Sequence, residues 1–432
     1  MNTKTKVPAG AGFFAGLLIG IGTAIGAAEY DRTIEKAFQV NTGGKLIVQA
    51  DRGSIEVNSG TSDNVHVRVL RRVKGGSQAR ADELFANLEV TFKQDGNTVS
   101  VVGRNKKDSS RLGSIRQPNL QVRYEISLPR KFDVELKTAG GDIRLGELDG
   151  SAITRTSSGS INLGTISGRV ESSNSGGDIL VGHAGGDLVA RTSSGSIKVQ
   201  TVAGKVEASN SGGDIRMEKA DKDVVASTSS GSITLKTVQG GVEAKNSGGQ
   251  ISIGEAGSSV MAETSSGSIE ITTAKGKVEA KNSGGDVRID EADGETVART
   301  SSGSIVIKLA KGKVDARNSG GKIEVNEARD VVLAHTSSGP IIVGLGKQPQ
   351  ADSQLEVWGG DISVALPRGV AIDLDAESSG GKVVSTIPVT MTVSGEQKHG
   401  TLRGKINGGG PRLNLRTSSG DIRLNESAAR TE

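Results

Sequence analysis

The chain has 432 residues, of which 62 are glycine, about twice the usual share of ~7%, while none is cysteine and only nine are aromatic. The absence of cysteine excludes a disulfide framework, an iron–sulfur cluster and a thiolate zinc site. Lysine and arginine number 53 against 49 acidic residues, so the net charge of +4 does not point to nucleic acid as a partner.

Residues 1–28 have the layout of an export signal. Met1–Lys6 contains two lysines, and Val7–Ala28 is a run of 22 residues without a charge. Because the run ends in small residues of the kind that signal peptidase recognises, we predict cleavage after Ala28. The alternative is an N-terminal membrane anchor, since 22 uncharged residues can span a bilayer. Both readings predict an exported protein, located in the periplasm, in the outer envelope or at the cell surface.

Residues 29–135 contain strand-like runs without a regular spacing, such as LIVQADRGSIEV from Leu46, and a short helical stretch over 77–86. We predict an N-terminal β-rich cap, because the open end of a stack of β-coils is an unpaired edge that needs a cover. The densest basic clusters of this region are interpreted as solvated loop edges and not as a nucleic-acid site. They are Arg71, Arg72 and Lys74, followed by Arg104, Lys106 and Lys107.

Residues 136–347 repeat with a period of 36. TSSGSI or TSSGPI and NSGG alternate at intervals of 18 residues, so that twelve consecutive units of two types run from Thr138 to Thr336. Counting the leading Thr or Asn as position zero, positions 5 and 7 are aliphatic, position 14 is almost always aliphatic with Thr296 as the exception, and position 16 is Ala or Ser. The spacing of two within each pair is the period of a β-strand. Each unit therefore predicts two short strands. One turn between them is the Ser/Gly corner, and the other carries Gly168 or Ala184 and their equivalents.

A fixed unit of two strands predicts an all-β fold, a β-solenoid (parallel β-helix-like) with 18-residue coils stacked about 4.8 Å apart. Glycine at the corners would permit the positive φ of tight turns. The Thr and Asn column should face inward at the corner and form a structural ladder that satisfies buried backbone groups. Its predicted members are Thr156, Asn174, Thr192, Asn210, Thr228, Asn246, Thr264, Asn282, Thr300, Asn318 and Thr336.

Residues 348–432 predict irregular C-terminal coils and a cap, because corners recur at Gly359, Gly380 and Gly420 with insertions between them. The single tryptophan, Trp358, stands where the 18-residue spacing is lost. We interpret it as a side chain that covers the frayed end of the rod, with a ligand-stacking residue as the alternative.

No motif with a catalytic or metal-binding spacing emerges. The corner Asp residues, such as Asp178, predict turn capping and not a calcium array, because Gln250 and Lys322 interrupt the series. The four histidines share no short spacing. A row of carboxylates at position 15 predicts a solvated face, since a glycosidase-type pair should occur only once. We therefore expect no enzyme activity, no cofactor and no metal. The carboxylates of this row are Glu171, Glu207, Glu243, Glu279 and Asp315.

The chain resembles the bacterial putative-adhesin family with β-strand repeats, a family of unknown function. The resemblance lies in VRYEISLPRKFDVELKTAGGDIRL from Val122, in the SGGDI and SSGSI corners, and in the closing GPRLNLRTSSGDIRL. It implies a β-solenoid at the cell envelope and no established catalytic residues.

The residues themselves predict a non-catalytic, adhesin-like protein that presents a repetitive solenoid face to an unidentified envelope polymer or surface ligand. One alternative is a self-assembling envelope scaffold, suggested by the outward apolar residues that alternate with the carboxylates at position 15. The other is a carbohydrate-active β-helix enzyme. The apolar residues are Val189, Val225, Met261, Val297 and Leu333.

Overall fold

The computed structural model describes residues 29–106, 120–392 and 399–427. Each circuit of the chain contributes one strand to each of two facing sheets, which we name sheet A and sheet B. The prediction of an all-β solenoid with 18-residue coils is confirmed. Residues 1–28, with the predicted cleavage site at Ala28, lie outside the described residues. Within the described ranges, no helix has both the length and the apolar character needed to cross a membrane.

The N-terminal part contains nine strands and the one helix found in the described residues. They are β1 (Glu29–Gln39), β2 (Gly44–Ala50), β3 (Ser54–Gly60), β4 (Asn64–Lys74), α1 (Gln78–Asn87), β5 (Leu88–Asp95), β6 (Thr98–Asn105), β7 (Leu120–Pro129), β8 (Phe132–Thr138) and β9 (Ile143–Leu145).

In the regular part, even-numbered strands belong to sheet B and odd-numbered strands to sheet A. The strands are β10 (Ala152–Thr156), β11 (Ile161–Ile166), β12 (Val170–Asn174), β13 (Ile179–Ala184), β14 (Leu188–Arg191), β15 (Ile197–Val202), β16 (Val206–Ser209), β17 (Ile215–Ala220), β18 (Val224–Thr228), β19 (Ile233–Val238), β20 (Val242–Asn246), β21 (Ile251–Ala256), β22 (Val260–Thr264), β23 (Ile269–Ala274), β24 (Val278–Asn282), β25 (Val287–Ala292), β26 (Thr296–Thr300), β27 (Ile305–Ala310), β28 (Val314–Gly320), β29 (Ile323–Ala328), β30 (Val332–Ser338) and β31 (Ile341–Leu345).

The C-terminal part adds seven strands among the described residues. They are β32 (Ser353–Gly359), β33 (Ile362–Leu366), β34 (Ile372–Ser378), β35 (Val383–Ser385), β36 (Thr401–Ile406), β37 (Arg412–Thr417) and β38 (Ile422–Glu426).

The register of the regular part follows the repeat. Ile215 pairs with Ile233 in sheet A and Val224 pairs with Val242 in sheet B, so equivalent residues of successive coils lie side by side. Sheet A contributes Ile, Leu and Val to the interior, whereas sheet B contributes Val and a column of Ala such as Ala226 and Ala244. The two inner faces therefore meet over small side chains, which explains why no aromatic residue occurs between Phe132 and Trp358.

Position 10 of the units that begin at Thr156 to Asn318 is a third inward position in sheet A. Ala184 and Ala220 end their strands with fully buried side chains, and Ile166 and Val202 occupy the same place in the other unit type. The assignment of Ala184 and its equivalents to a turn is therefore wrong. Positions 8 and 9 are both exposed in β17, where Glu218 and Lys219 separate the buried Met217 and Ala220, so a strict period of two does not detect this column.

The stack begins upstream of the recognisable repeat. β2 pairs in parallel with β8, and β3 pairs in parallel with β9, so residues 44–60 form a coil that lies directly on the coil of residues 132–145. On its other side this coil meets β6 and β7. β4 runs antiparallel to both β1 and β7, and β5 runs antiparallel to β6, so antiparallel strands close this end. The domain limits at 135 and 347 stay predictions, although strand pairing continues across both of them.

The C-terminal end also departs from chain order. β37 lies between β32 and β34, and β38 lies between β33 and β35. The last coil of the sequence is therefore an internal coil of the stack. β36 pairs antiparallel with β34 and forms the terminal edge of sheet B.

Candidate binding surfaces of the solenoid

The predicted ladder residues all lie at one corner of the solenoid, and all eleven are buried. Each donates a hydrogen bond to the carbonyl of a corner glycine in the preceding coil. Thr228 Oγ1 donates to Gly213 O at 3.0 Å, and Asn246 Nδ2 donates to Gly231 O at 2.7 Å. In the Asn-type units the amide oxygen also accepts a backbone bond, as from Gly248 N at 3.1 Å. Thr138, Ser378 and Thr417 make the same bond to a corner glycine carbonyl outside the uniform repeat.

The corner glycines are required by close stacking and not by a left-handed backbone. A Cβ built on Gly231 would lie 2.0 Å from Gly213 O, the carbonyl that Thr228 binds. Among the described corner glycines of the uniform repeat, Gly141, Gly321 and Gly339 have positive φ, whereas those from Gly159 to Gly303 do not. The expectation that positive φ selects glycine at these corners is therefore wrong for most of the rod.

The corner Asp residues form a second column of bonds between coils. Asp214 Oδ1 accepts from Ser232 N at 2.9 Å, and Asp142, Asp178 and Asp286 accept from the equivalent Ser amides. Lys322 replaces Asp where the facing residue is Pro340, which has no N–H to donate. The Asp series is thus interrupted at Lys322, where the next coil has no backbone N–H for an Asp side chain to accept.

The outer face of sheet B presents the row of carboxylates predicted at position 15. Each carboxylate forms an ion pair with a basic side chain of the same face. Glu243 pairs with Lys245 at 2.6 Å, and Asp315 pairs with Arg317 at 2.9 Å. The bond from Lys281 holds the pKa of Glu279 below its usual value, and the bond to Glu243 raises the pKa of Lys245. The negative charge of the row is therefore locally balanced by basic side chains of the same face.

Apolar side chains alternate with these carboxylates along the same row. Val225 is 42% exposed and Met261 is 39% exposed, and they lie on either side of Glu243. A shallow cavity of about 300 Å³ lies over this part of the face. Val297 departs from the predicted outward row, because only 8% of its surface is exposed.

Trp358 does not cover the end of the rod. It lies in β32, which is separated from the terminal edge of sheet B by β37 and β34, and 68% of its surface is exposed. The prediction of a covering role is therefore wrong. Beside it, Arg416 binds Asp375 at 2.9 Å, and this bond is the main reason that the pKa of Asp375 is below its usual value.

Two of the histidines each lie near one polar side chain. His183 Nδ1 lies 2.7 Å from Thr201 Oγ1, and His335 lies 3.7 Å from Glu356. Across residues 29–106, 120–392 and 399–427, no group of three His, Asp or Glu side chains could hold a metal ion. Of the basic clusters, Arg71, Arg72 and Lys74 belong to β4. Since Arg71 is half-buried, its assignment to a solvated loop edge is wrong.

Comparison with solved structures finds several bacterial proteins. A "putative adhesin" from Bacteroides fragilis NCTC 9343 shares 14% identity, with 68% of this chain and 97% of that chain covered at a TM-score of 0.26. A "putative adhesin" from Parabacteroides merdae ATCC 43184 shares 13% identity, covering 66% and 96% of the two chains, also at 0.26. A "putative lipid binding protein" from Parabacteroides distasonis ATCC 8503 shares 12% identity, covering 77% and 96%, at 0.19.

No curated protein matches the chain. A family model does match, over residues 44–326 and 240–425, which together include the first coil, the whole regular stack and the interleaved C-terminal coils. The chain therefore belongs to the Toastrack DUF4097 family.

Proposed function

We propose that the protein is an exported, non-catalytic, adhesin-like protein that binds an envelope polymer or surface ligand along the outer face of sheet B. The observation that carries this proposal is the row containing Val225, Glu243, Met261 and Glu279, in which exposed apolar groups alternate with ion-paired carboxylates.

The spacing of this row suits an extended polymer. Neighbouring strands lie about 4.8 Å apart, so apolar groups on every second coil recur at intervals of about 10 Å. Two sugar units of an extended polysaccharide advance by a comparable distance. A polymer lying along the rod would contact both exposed apolar side chains, Val225 and Met261, at once, and linked weak contacts raise the overall affinity without any single strong site.

A binding role agrees with the chemistry of the charged groups on this face. Catalytic acid–base pairs need unequal environments that separate their pKa values. Here Glu171, Glu207, Glu243 and Glu279 occupy one register position, and each has a basic partner. A repeated arrangement of balanced charges favours recognition of a repeating ligand over chemistry at one bond.

The test is coprecipitation of the purified protein with three insoluble polymers, namely peptidoglycan, chitin and cellulose. We expect binding to at least one polymer and a loss of at least tenfold in affinity for the double variant V225K/M261K. Because both side chains are exposed, this variant should fold normally, which thermal unfolding checks. Ile342→Lys is the matched control, since Ile342 is 39% exposed on the opposite sheet.

The same preparations distinguish the alternatives. Self-assembly through this row would appear as a concentration-dependent mass in light scattering that V225K/M261K abolishes. An enzyme would release soluble reducing ends from a polymer. Equal polymer binding by V225K/M261K and I342K would contradict the proposed face, and no binding to any of the three polymers would contradict the proposed ligand class.

A further inference from the structure

A cleft of about 1080 Å³ opens at the N-terminal end of the solenoid, away from the proposed polymer-binding face. Its walls come from β1, β4 and β7 of sheet A and from the corners that follow β2 and β8. Six arginines but only two aspartates line it. The arginines are Arg32, Arg52, Arg68, Arg71, Arg72 and Arg123, and the aspartates are Asp31 and Asp51.

Two of these arginines are direct neighbours on adjacent strands. Arg32 of β1 is the register partner of Arg71 of β4, so like charges stand opposite each other in an antiparallel pair. Such a pair is destabilising unless something neutralises it. Both guanidinium groups lie over the ring of Phe85 in α1, at 5.2 Å and 5.6 Å from its centre. The helix therefore holds the two charges at one side of the cleft.

Most of the arginines have carboxylate partners, but two do not. Arg32 pairs with Asp82, Arg72 with Asp31, and Arg68 with Glu35. Within the described residues, Arg52 and Arg71 form no ion pair. Arg52 Nη1 and Arg71 Nε are also buried without a hydrogen-bond partner there. Arg71 Nη1 donates to Phe85 O at 3.2 Å, but among the described residues neither Arg52 nor Arg71 has a carboxylate as an ion-pair partner.

The surroundings of Arg71 disfavour its positive charge. Burial is the main cause of a lowered pKa for Arg71, and repulsion from Arg32 adds to it. The hydroxyl of Tyr124, which interacts electrostatically with Arg71, is buried without a hydrogen-bond partner among the described residues, and burial raises its pKa to about 12. Tyr124 therefore remains a neutral hydrogen-bond donor at physiological pH.

We propose that this cleft binds a phosphate-bearing anion through Arg52 and Arg71, with Arg32 at its edge. A phosphate group offers three or more acceptor oxygens and can satisfy several guanidinium groups together, whereas a carboxylate offers only two. The volume exceeds that of inorganic phosphate and falls in the range of small-molecule sites, so the natural ligand carries an organic group beside the phosphate.

The experiment uses the chain 29–432 and glycerol 3-phosphate as the probe in isothermal titration calorimetry. We expect saturable binding to the wild-type protein and at least a tenfold weaker affinity for Arg52→Gln and for Arg71→Gln. Arg216→Gln is the matched control, because Arg216 makes an ordinary surface ion pair with Asp214 on the outer face of sheet A. Circular dichroism establishes that each variant is folded.

Two further measurements identify the source of the phosphate. A phosphomonoester gains negative charge above its second pKa of about 6, so glycerol 3-phosphate should bind more tightly at pH 7.5 than at pH 5.5. Vesicles of phosphatidylglycerol, compared with vesicles of phosphatidylcholine, report a lipid phosphodiester. Binding of the vesicles but not of the soluble probe assigns the phosphate to a lipid headgroup. Absence of binding to both, or equal binding by R52Q and wild type, overturns the proposal.

Discussion

Each ladder residue stabilises two coils at once. Asn246 donates to Gly231 O of the preceding coil and accepts from Gly248 N of its own corner. A buried backbone carbonyl without a partner costs about 1–3 kcal/mol. The inward Thr or Asn thus removes a penalty that would otherwise recur in every coil, which explains why these positions repeat so strictly.

We predict that Asn246→Leu lowers the free energy of unfolding by about 1–3 kcal/mol, because Gly231 O and Gly248 N both lose their partner. Lys245→Ala is the control, and we expect it to leave the free energy of unfolding nearly unchanged, since Lys245 forms an exposed ion pair. Urea unfolding of both variants measures the difference. Equal destabilisation would contradict the structural importance of the ladder.

The Asp column supports a sharper test by double-mutant cycle. Asp214→Ala removes the acceptor of Ser232 N, and Ser232→Pro removes the donor itself. If the bond is the main interaction lost in each case, the double variant should recover about 1 kcal/mol relative to the sum of the single variants. The pair Lys322 and Pro340 shows that a coil with neither group is compatible with the stack.

The control for this cycle combines Asp214→Ala with Ser304→Pro. Ser304 N binds Asp286 and not Asp214, so these two changes should be additive in urea unfolding. A coupling as large as that of D214A with S232P would show that the effects come from general weakening of the stack.

At the scale of the element, the 18-residue spacing was sufficient to predict strands, register and the ladder. It missed the inward column at position 10, because two outward residues follow position 7 and break the period of two. It also missed the coil of residues 44–60. A repeat is recognised in a sequence when similar units follow each other directly. The coil of residues 44–60 instead stacks on a coil that begins at residue 132, so the two are far apart in sequence.

Deletion of whole coils tests whether the elements stack independently. Removing Thr228–Glu263 should preserve both the register and the alternation of position 15, since Glu207, Val225 and Glu279 then follow each other. Removing only Thr228–Lys245 also preserves the register, but places Val225 beside Met261. If stability depends on contacts between neighbouring coils, the variant with the longer deletion should unfold closer to the wild-type temperature, because it keeps the original types of neighbour. Loss of folding in both variants would contradict this.

At the scale of the whole molecule, the strands at both ends of the rod are stacked in an order that differs from their order in the sequence. Antiparallel strands end the stack, at the N-terminal end and, through β36, at the other end. They cover parallel strand edges that could otherwise pair with a strand of another chain. Sequence pattern could not predict this arrangement, because it depends on pairing between distant segments. The exposed position of Trp358 could not be predicted for the same reason. β37 inserts between β32 and β34, so the strand that contains Trp358 is not at the end of the rod.

The interleaved C-terminal coil leads to a prediction about truncation. β37 and β38 contribute Leu413, Leu415, Ile422 and Leu424 to the core, and each such side chain stabilises the fold by about 1.5–3 kcal/mol. Removing residues 411–432 takes away an internal coil and leaves β34 and β35 without the strands on which they stack. The damage should therefore extend upstream of the truncation site.

Limited proteolysis with mass spectrometry measures this effect. We expect the chain ending at residue 410 to be cut rapidly within β34 and β35, while residues 120–345 remain protected by their own stacked coils. Removing only residues 428–432 is the control and should leave the cleavage pattern unchanged. If the shortened chain still protects residues 372–406, then β34 and β35 can stack directly on β32 and β33, and the interleaved coil is not needed to hold the end of the rod together.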